Sequence, residues 1–230
     1  MLHKETVESG TLDLIKLLIA DSRLAAFFMV GGTALSLQIG HRISIDIDLF
    51  TQKEFDSLDL QKYMEEAYGM TNAKAIKNGL FGFVNDIKVD LIAHQYPLIQ
   101  PLQEIEEIRM ASLQDIGAMK LHAIVQNGSR YKDFIDMYFL LEHQPLQLFT
   151  DAYEEKYSPD SSTSVAKNGL VYFDDVDYTV PIKLIKEPLS KDIIQTRLKD
   201  SIINPSKVYL SNIISEKKNQ SIEQKRGRRL

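Results

Sequence analysis

The sequence predicts a mixed α/β (α+β) protein: a sheet flanked by helices in the first hundred residues, then a helical half. Three observations carry this prediction. The octet Ile43-Ser44-Ile45-Asp46-Ile47-Asp48-Leu49-Phe50 alternates strictly between apolar and polar residues, the period of a half-buried strand. The short apolar run Phe27-Phe28-Met29-Val30 is cut by Gly31-Gly32 just before a helical pattern, as at a tight strand-to-helix turn. From Ser112 onward apolar residues recur at helical spacing. The expected organisation is an α/β core over residues 1–100, a helical region over 101–215 and a basic tail over 216–230.

The elements follow in order. Leu14, Leu17, Leu18 and Asp21 stand at helical spacing within residues 11–26, with Ser9 or Thr11 available as the cap. The run 27–30 is a buried strand, Thr33 to Ile39 a helix, and Gly40 its terminator. The octet 43–50 is the next strand and Asp56 to Tyr68 the next helix. Residues 73–77 and 80–84 form two strands joined through Asn78-Gly79, a strong hairpin signal. Ile87 to Ala93 alternates again and places Asp90 on one face. After Pro97 and Pro101, Ser112 with Asp115 three residues on resembles a capping box that opens a helix to about Gln126. Asn127-Gly128-Ser129 breaks it, and Lys132 to Glu142 is the next helix. Helical spacing with breaks at Pro159, Pro181, Pro188 and Pro205 fills the remainder.

Composition narrows the function classes. The chain of 230 residues is 44% hydrophobic and 26% charged, which excludes disorder as its main state and supplies enough apolar surface for a sizeable core. It has no cysteine, which removes disulfides, thiolate zinc sites and a cysteine nucleophile, and agrees with a reducing cytoplasm. Met1 to Thr6 lacks the pattern of a signal peptide, and the apolar stretch Leu14 to Val30 is interrupted by Lys16, Asp21 and Arg23, so no membrane association is expected. The net charge of −5 argues against a surface that coats nucleic acid. That average hides an asymmetry, because Lys217, Lys218, Lys225, Arg226, Arg228 and Arg229 gather in the tail against Glu216 and Glu223. Such a tail is either a solvated terminus or a source of non-specific phosphate contacts.

Asp46 and Asp48 lie two residues apart on a strand, roughly 6.5–7 Å at the backbone, and project from one face. Either the face is simply solvated, or the pair converges on a divalent cation such as Mg²⁺, with Asp90 as the third carboxylate of a two-metal site. The Gly31-Gly32-Thr33 turn lets the backbone approach closely and aims free N–H groups at an anion, unless glycine is there for conformation alone. Strand, Gly-Gly turn, helix and an adjacent Asp-x-Asp strand would bring phosphate-binding amides and metal ligands to one end of one sheet.

Met29-Val30-Gly31-Gly32-Thr33, followed by Ile45-Asp46-Ile47-Asp48-Leu49 and Val89-Asp90-Leu91, resembles the signature of the polymerase-β-type nucleotidyltransferase superfamily. Within it, Gly31 to Leu35 and His41 to Phe50 are similar to the AbiEii/AbiGii-type nucleotidyltransferases of bacterial toxin–antitoxin and abortive-infection systems. Asp115 to Ile124 and Lys132-Asp133-Phe134-Ile135-Asp136 match that family's second block, and together the motifs span residues 29–141. The resemblance implies a polymerase-β-like sheet and a Mg²⁺-dependent enzyme that moves a nucleoside monophosphate from an NTP to an acceptor hydroxyl. It further implies an RNA acceptor such as tRNA, and a toxin role opposite a cognate antitoxin. Asp46, Asp48 and Asp90 would hold two Mg²⁺ ions, Asp90 also taking the hydroxyl proton, and Gly31, Gly32 and Thr33 would cradle β- and γ-phosphate oxygens.

Two positions depart from the pattern. Gly32-Thr33 stands where the superfamily usually has Gly-Ser, and Lys132-Asp133 where the family often has Arg-Asp, which loses the bidentate fork for phosphate. Arg130 is placed to compensate. Lys120 is either a stem along the helix surface with its ammonium in water or, as the resemblance implies, a contact to the triphosphate or a proton-transfer group. Asp133 and Asp136 share a helical face, either as ion-pair partners of Lys132, Arg130 or Lys120 or as groups that orient them. Arg42 and Ser44 are candidates for nucleotide contacts or ordinary rim residues. His3, His41, His94, His122 and His143 form no close-spaced ligand pair, which argues against zinc. Two other functions fit the same pattern: a transferase acting on a small-molecule acceptor, and an inert nucleotide-binding or interaction module.

Overall fold

The computed structural model describes residues 1–185 and 188–210. The basic segment 216–230 therefore lies outside the described residues. After a 3-10 turn at Lys4–Thr6 come helix α1 (Ser9–Ala20), strand β1 (Phe28–Val30), helix α2 (Gly31–Ile39), strand β2 (Ile47–Thr51) and helix α3 (Ser57–Tyr68). Strands β3 (Thr71–Ile76), β4 (Gly79–Val84) and β5 (Ile87–Ala93) follow, then the short β6 (Gln103–Ile105) and β7 (Ile108–Met110). Helices α4 (Leu113–Gln126), α5 (Tyr131–Leu140), α6 (Leu146–Tyr157), α7 (Thr163–Leu170) and α8 (Lys191–Ile203) come last.

Among the described residues seven strands form one sheet in the order β3-β4-β5-β2-β1-β7-β6. The central β2 runs antiparallel to β1 and parallel to β5. Its alternation buries Ile47 and Leu49 fully, together with Leu80, Val89 and Leu91 of the neighbouring strands. Helices α2 and α3 pack on the sheet, α2 against β1 and β2 and α3 against β3 and β4. Helix α4 contacts α2, α5, α6 and α7, so it joins the sheet half to the helical half. No helix among the described residues is long and apolar enough to cross a membrane.

Several expectations change in detail. The first helix ends at Ala20 rather than Ala26, because Asp21 turns extended and its carboxylate accepts the Arg23 N–H at 2.7 Å to start a separate 3-10 turn. Neither Ser9 nor Thr11 caps it: Glu8 occupies that position without a side-chain bond, and Thr11 is buried. The strand expected over 43–50 is realised only from Ile47. Upstream, the Ile43 N–H bonds to the Lys183 carbonyl at 2.8 Å and the Ser44 N–H to the Thr6 carbonyl at 3.0 Å, so the backbone is satisfied outside the sheet. The β3–β4 hairpin closes at Ile76↔Gly79, which makes Lys77-Asn78 its two-residue loop, with Asn78 at φ 59°. Residues 171–185 and 188–190 carry no helix.

The largest omission is the β6–β7 hairpin. Its turn places Glu106 and Glu107 at φ 51° and 66°, positions usually filled by Asn or Gly, and its strands are three residues long. β7 pairs in parallel with β1 at Met29↔Met110, so the sheet continues past residue 100, where a change to a helical region was expected.

The helical half is tied down by a buried carboxylate. The Ser112 hydroxyl accepts the Asp115 N–H as a cap should, but the Asp115 carboxylate does not return the bond to the Ser112 backbone. It accepts instead from Ile99 N at 2.9 Å, Gln100 N at 3.0 Å, Ser112 Oγ at 2.7 Å and Lys156 Nζ at 2.8 Å. Both members of the Asp115–Lys156 pair are fully buried, so removing one strands the other's charge. Asp115→Ala is expected to cost about 3–5 kcal/mol in urea unfolding; a midpoint equal to that of the parent protein would show that this anchor does not hold the two halves together.

Candidate active site

The turn from β1 into α2 is shaped by what it must touch. Val30 is extended, and Gly31 opens the helix at φ 71°, a conformation that favours glycine. A Cβ on Gly31 would stand 2.1 Å from Asp48 Oδ2, and one on Gly32 would stand 2.2 Å from Arg42 Nη2. Glycine is thus required twice, by conformation at the first position and by close approach at both. No side chain caps this end of α2, which leaves its first N–H groups to another acceptor.

Strand register assembles the carboxylates. Asp48 on β2 pairs with Asp90 on β5, so the two side chains stand next to each other on one face of the sheet. Burial, and then the charge of Asp90, push the Asp48 carboxyl above its ordinary pKa, and Asp46 adds to the repulsion. Asp90 is buried, with the Lys88 ammonium on its Oδ2 and no partner for its Oδ1. Asp46 lies just before the strand rather than on it, half-buried, with Lys132 Nζ 3.9 Å from its Oδ2. Among the described residues no three histidine or carboxylate side chains form a group placed to hold a metal ion. The donor chemistry nonetheless fits a hard divalent cation: adjacent carboxylates that repel one another, one with an unpartnered buried oxygen.

Behind these carboxylates lies a buried ion network. Asp136 is fully buried and accepts Arg42 Nε at 2.6 Å, Arg42 Nη2 at 3.0 Å and His41 Nε2 at 2.8 Å, with Lys120 Nζ 2.6 Å from its Oδ2. Lys120 also donates to Asp133 Oδ1 at 2.8 Å, and Arg130 reaches Asp133 from the rim. Burial alone would raise Asp136, but Arg42 and Lys120 hold it well below the usual carboxylate range. Burial likewise outweighs Asp136 at His41 and lowers that imidazole, whereas the two aspartates overcome it at Lys120 and keep the ammonium charged.

All twelve residues singled out from the sequence fall in one neighbourhood, but not all of them face outward. Lys120 is buried against Asp133 and Asp136, not laid along the helix surface with its ammonium in water. Arg42 is equally committed to Asp136. The aspartates pair with Lys120, Arg42 and Arg130, and Lys132 turns to Asp46 instead. The buried Thr33 hydroxyl donates to the Asp46 carbonyl and lies 2.9 Å from Ser44 Oγ, so it braces the Asp46 loop, and only its backbone N–H is left for a phosphate. Two participants were missed. Lys88 stands two residues before Asp90 on an alternating strand, a spacing that places it on the same face, and His41 adjoins Arg42 in sequence.

Comparison with known proteins identifies the family and the fold. Residues 16–205 match the family described as nucleotidyl transferase AbiEii toxin, type IV toxin–antitoxin system. An uncharacterized protein of Aquifex aeolicus (strain VF5) is 33% identical over 155 residues, covering 65% of this chain and 74% of its own length. Among solved structures, a putative nucleotidyltransferase from H. pylori superposes with a TM-score of 0.54 at 19% identity, over 86% of this chain and 96% of its own. JHP933 from Helicobacter pylori does so with a TM-score of 0.52 at 18% identity, over 96% and 99%. These likenesses bear out the mixed sheet-and-helix fold.

The raised carboxyl of Asp48 has a measurable consequence for stability. A group whose pKa is higher folded than unfolded favours folding below its unfolded value, about 3.9 for Asp, and loses that contribution as pH rises through the folded value. Charged Asp48 therefore opposes folding at neutral pH in the metal-free protein. Asp48→Asn should raise the thermal midpoint at pH 7 in the presence of EDTA, with the gain vanishing toward pH 3; a lower midpoint at pH 7 would contradict the assigned repulsion.

Proposed function

The chain belongs to the family of AbiEii-type nucleotidyltransferase toxins of type IV toxin–antitoxin systems, and from that premise we propose that it transfers a nucleoside monophosphate from an NTP to a hydroxyl of an RNA acceptor such as tRNA. The single observation that carries the reading is the register Asp48↔Asp90, with the backbone of Gly31 packed against the Asp48 carboxylate. That arrangement sets an uncapped helix start, suited to phosphate oxygens, directly beside carboxylates suited to a divalent cation.

Asp48 and Asp90, with Asp46 from the preceding loop, would hold two Mg²⁺ ions. When bound, these neutralise triphosphate charge and polarise the reacting phosphorus. The N–H groups of Gly31, Gly32 and Thr33 receive β- and γ-phosphate oxygens. Lys132, half-exposed beside Asp46, supplies a mobile cation to the same phosphates; burial and the neighbouring Arg130 and Lys120 lower its pKa, which primes it for an anionic partner. Lys120 acts from within, as a fixed positive charge that opposes the rise of the Asp48 pKa. The acceptor oxygen forms a bond to the α-phosphorus as the bond to the β-phosphate bridge breaks, pyrophosphate leaves, and the acceptor proton passes to the unpartnered Oδ1 of Asp90. Arg42, Asp133 and Asp136 position the turn and the loop rather than touching phosphate, and Ser44 braces Thr33. An antitoxin partner and a cytoplasmic location complete the proposal.

Purified protein incubated with Mg²⁺, α-labelled NTPs and bulk RNA should label RNA, and EDTA should stop it. The double variant Asp46→Ala/Asp48→Ala should lose at least about a hundredfold to a thousandfold in rate while melting no lower than the parent, since carboxylates that repel each other and Asp90 are removed. Retained transfer in the double variant would sink the carboxylate assignment. Tight nucleotide binding without transfer to any acceptor would point to an inert module instead.

A further inference from the structure

The face of the sheet that carries the carboxylates extends past them onto β4 and β3. Phe81 is the register partner of Asp90, Phe83 of Lys88, and Lys74 of Phe81, so these side chains share the face that carries the carboxylates. The opposite face of β4 and β5 presents Leu80, Val84, Val89 and Leu91, all buried. On the carboxylate face Phe83 is 38% exposed and Ile76 48%, Phe81 is half-buried and Lys74 is exposed. Ile76 and Phe81 close over Gly79, where a Cβ would stand 3.0 Å from Ile76 Cγ1 and 3.2 Å from Phe81 Cε2, which makes a flat apolar floor.

We propose that this face of β3, β4 and β5 is the docking platform for a single-stranded nucleic acid acceptor whose terminal hydroxyl reaches the Asp48–Asp90 pair. The proposal rests on the nucleotidyltransferase reading above. Its first support is direction. In-line displacement sets the attacking and leaving oxygens on opposite sides of the phosphorus. The Gly31 turn, which takes the leaving pyrophosphate, follows β1 on one flank of Asp48, whereas β5, β4 and β3 extend from the other flank. The acceptor therefore enters over Phe81 and Phe83.

The second support is chemistry. Phe81 and Phe83 are two residues apart on a strand, roughly 6.5–7 Å, and offer ring faces to successive unpaired bases. Lys74 borders the rings and matches the phosphates between those bases, with the exposed Lys77 in the adjoining turn. A duplex hides its base faces in its own stack and gains nothing from the rings. An extended peptide adding to the sheet would use the edge of β3, not its face.

The test uses the full chain, a short unstructured fluorescent RNA, and its duplex form as competitor. Anisotropy should give clear binding of the single strand, with the duplex competing poorly. Phe83→Ala should weaken it by about fivefold to a hundredfold, and Lys74→Glu should make binding weaker and less steep in salt. Both variants should keep the parent's melting temperature and its calorimetric affinity for NTP with Mg²⁺. Undiminished RNA binding by both variants, equal competition by the duplex, or no binding by the parent overturns the platform. So does a Phe83-dependent protein partner found without RNA binding. NTP binding and transfer to a small alcohol without RNA binding would refute the platform and leave the transferase standing. RNA binding that depends on Phe83, in a chain that neither binds NTP nor transfers label, would refute the transferase alone.

Discussion

The arrangement around Asp136 is the constraint on which the rest of the site depends. One fully buried carboxylate holds Arg42 by two hydrogen bonds, His41 by one and Lys120 at ion-pair distance. Two buried aspartates and two buried cations make the inner cluster neutral, and Arg130 closes it at the rim. Charges this far from water persist only when every member is paired, so the elements that carry them are locked together. Helix α5 supplies the aspartates, α4 supplies Lys120, and the loop after α2 supplies His41 and Arg42. Arg42 in turn is the surface on which Gly32 rests. The glycine turn, the Asp46 loop and the two helices are thereby fixed in one frame.

Against that balanced interior stands an unbalanced surface. Asp48 and Asp90 face each other across a strand pair with only Lys88 and the field of Lys120 to offset them. Stability alone would not select this arrangement. Functional sites are where proteins tolerate such local penalties, and the neutral cluster beneath supplies the rigidity that lets them do so.

Much of this could be read from the residues in order. The Gly31-Gly32 break, the alternation that buries Ile47 and Leu49, and the strand of Asp90 all depend on local patterns that report backbone conformation directly. The pairing of Asp48 with Asp90 could be suspected but not located, because strand register is a tertiary property. Asp46 was misassigned for a related reason: alternation continued through Ile43 to Asp46, but Lys183 and Thr6 captured that backbone from a distance. The β6–β7 hairpin escaped because its turn uses two glutamates where sterics favour Asn or Gly. Arg42 looked like a reagent for phosphate because a sequence shows charge and hides a partner 94 positions downstream, whereas the pairing of Lys120 with Asp133 and Asp136 was one of the readings its spacing offered.

That separation also has a consequence in time. Arg42 precedes Asp136 by 94 positions in the chain, so a ribosome has made the glycine turn, the Asp46 loop and all three carboxylates well before it makes the residue that anchors them. The strand that flanks β1 on its far side, β7, is also late. An emerging chain thus holds the glycine turn and all three carboxylates before it holds the frame that aligns them, and the site is completed only after α5 has left the exit tunnel and docked. Under the toxin function proposed above, an activity that ripens last confines the reaction to finished molecules.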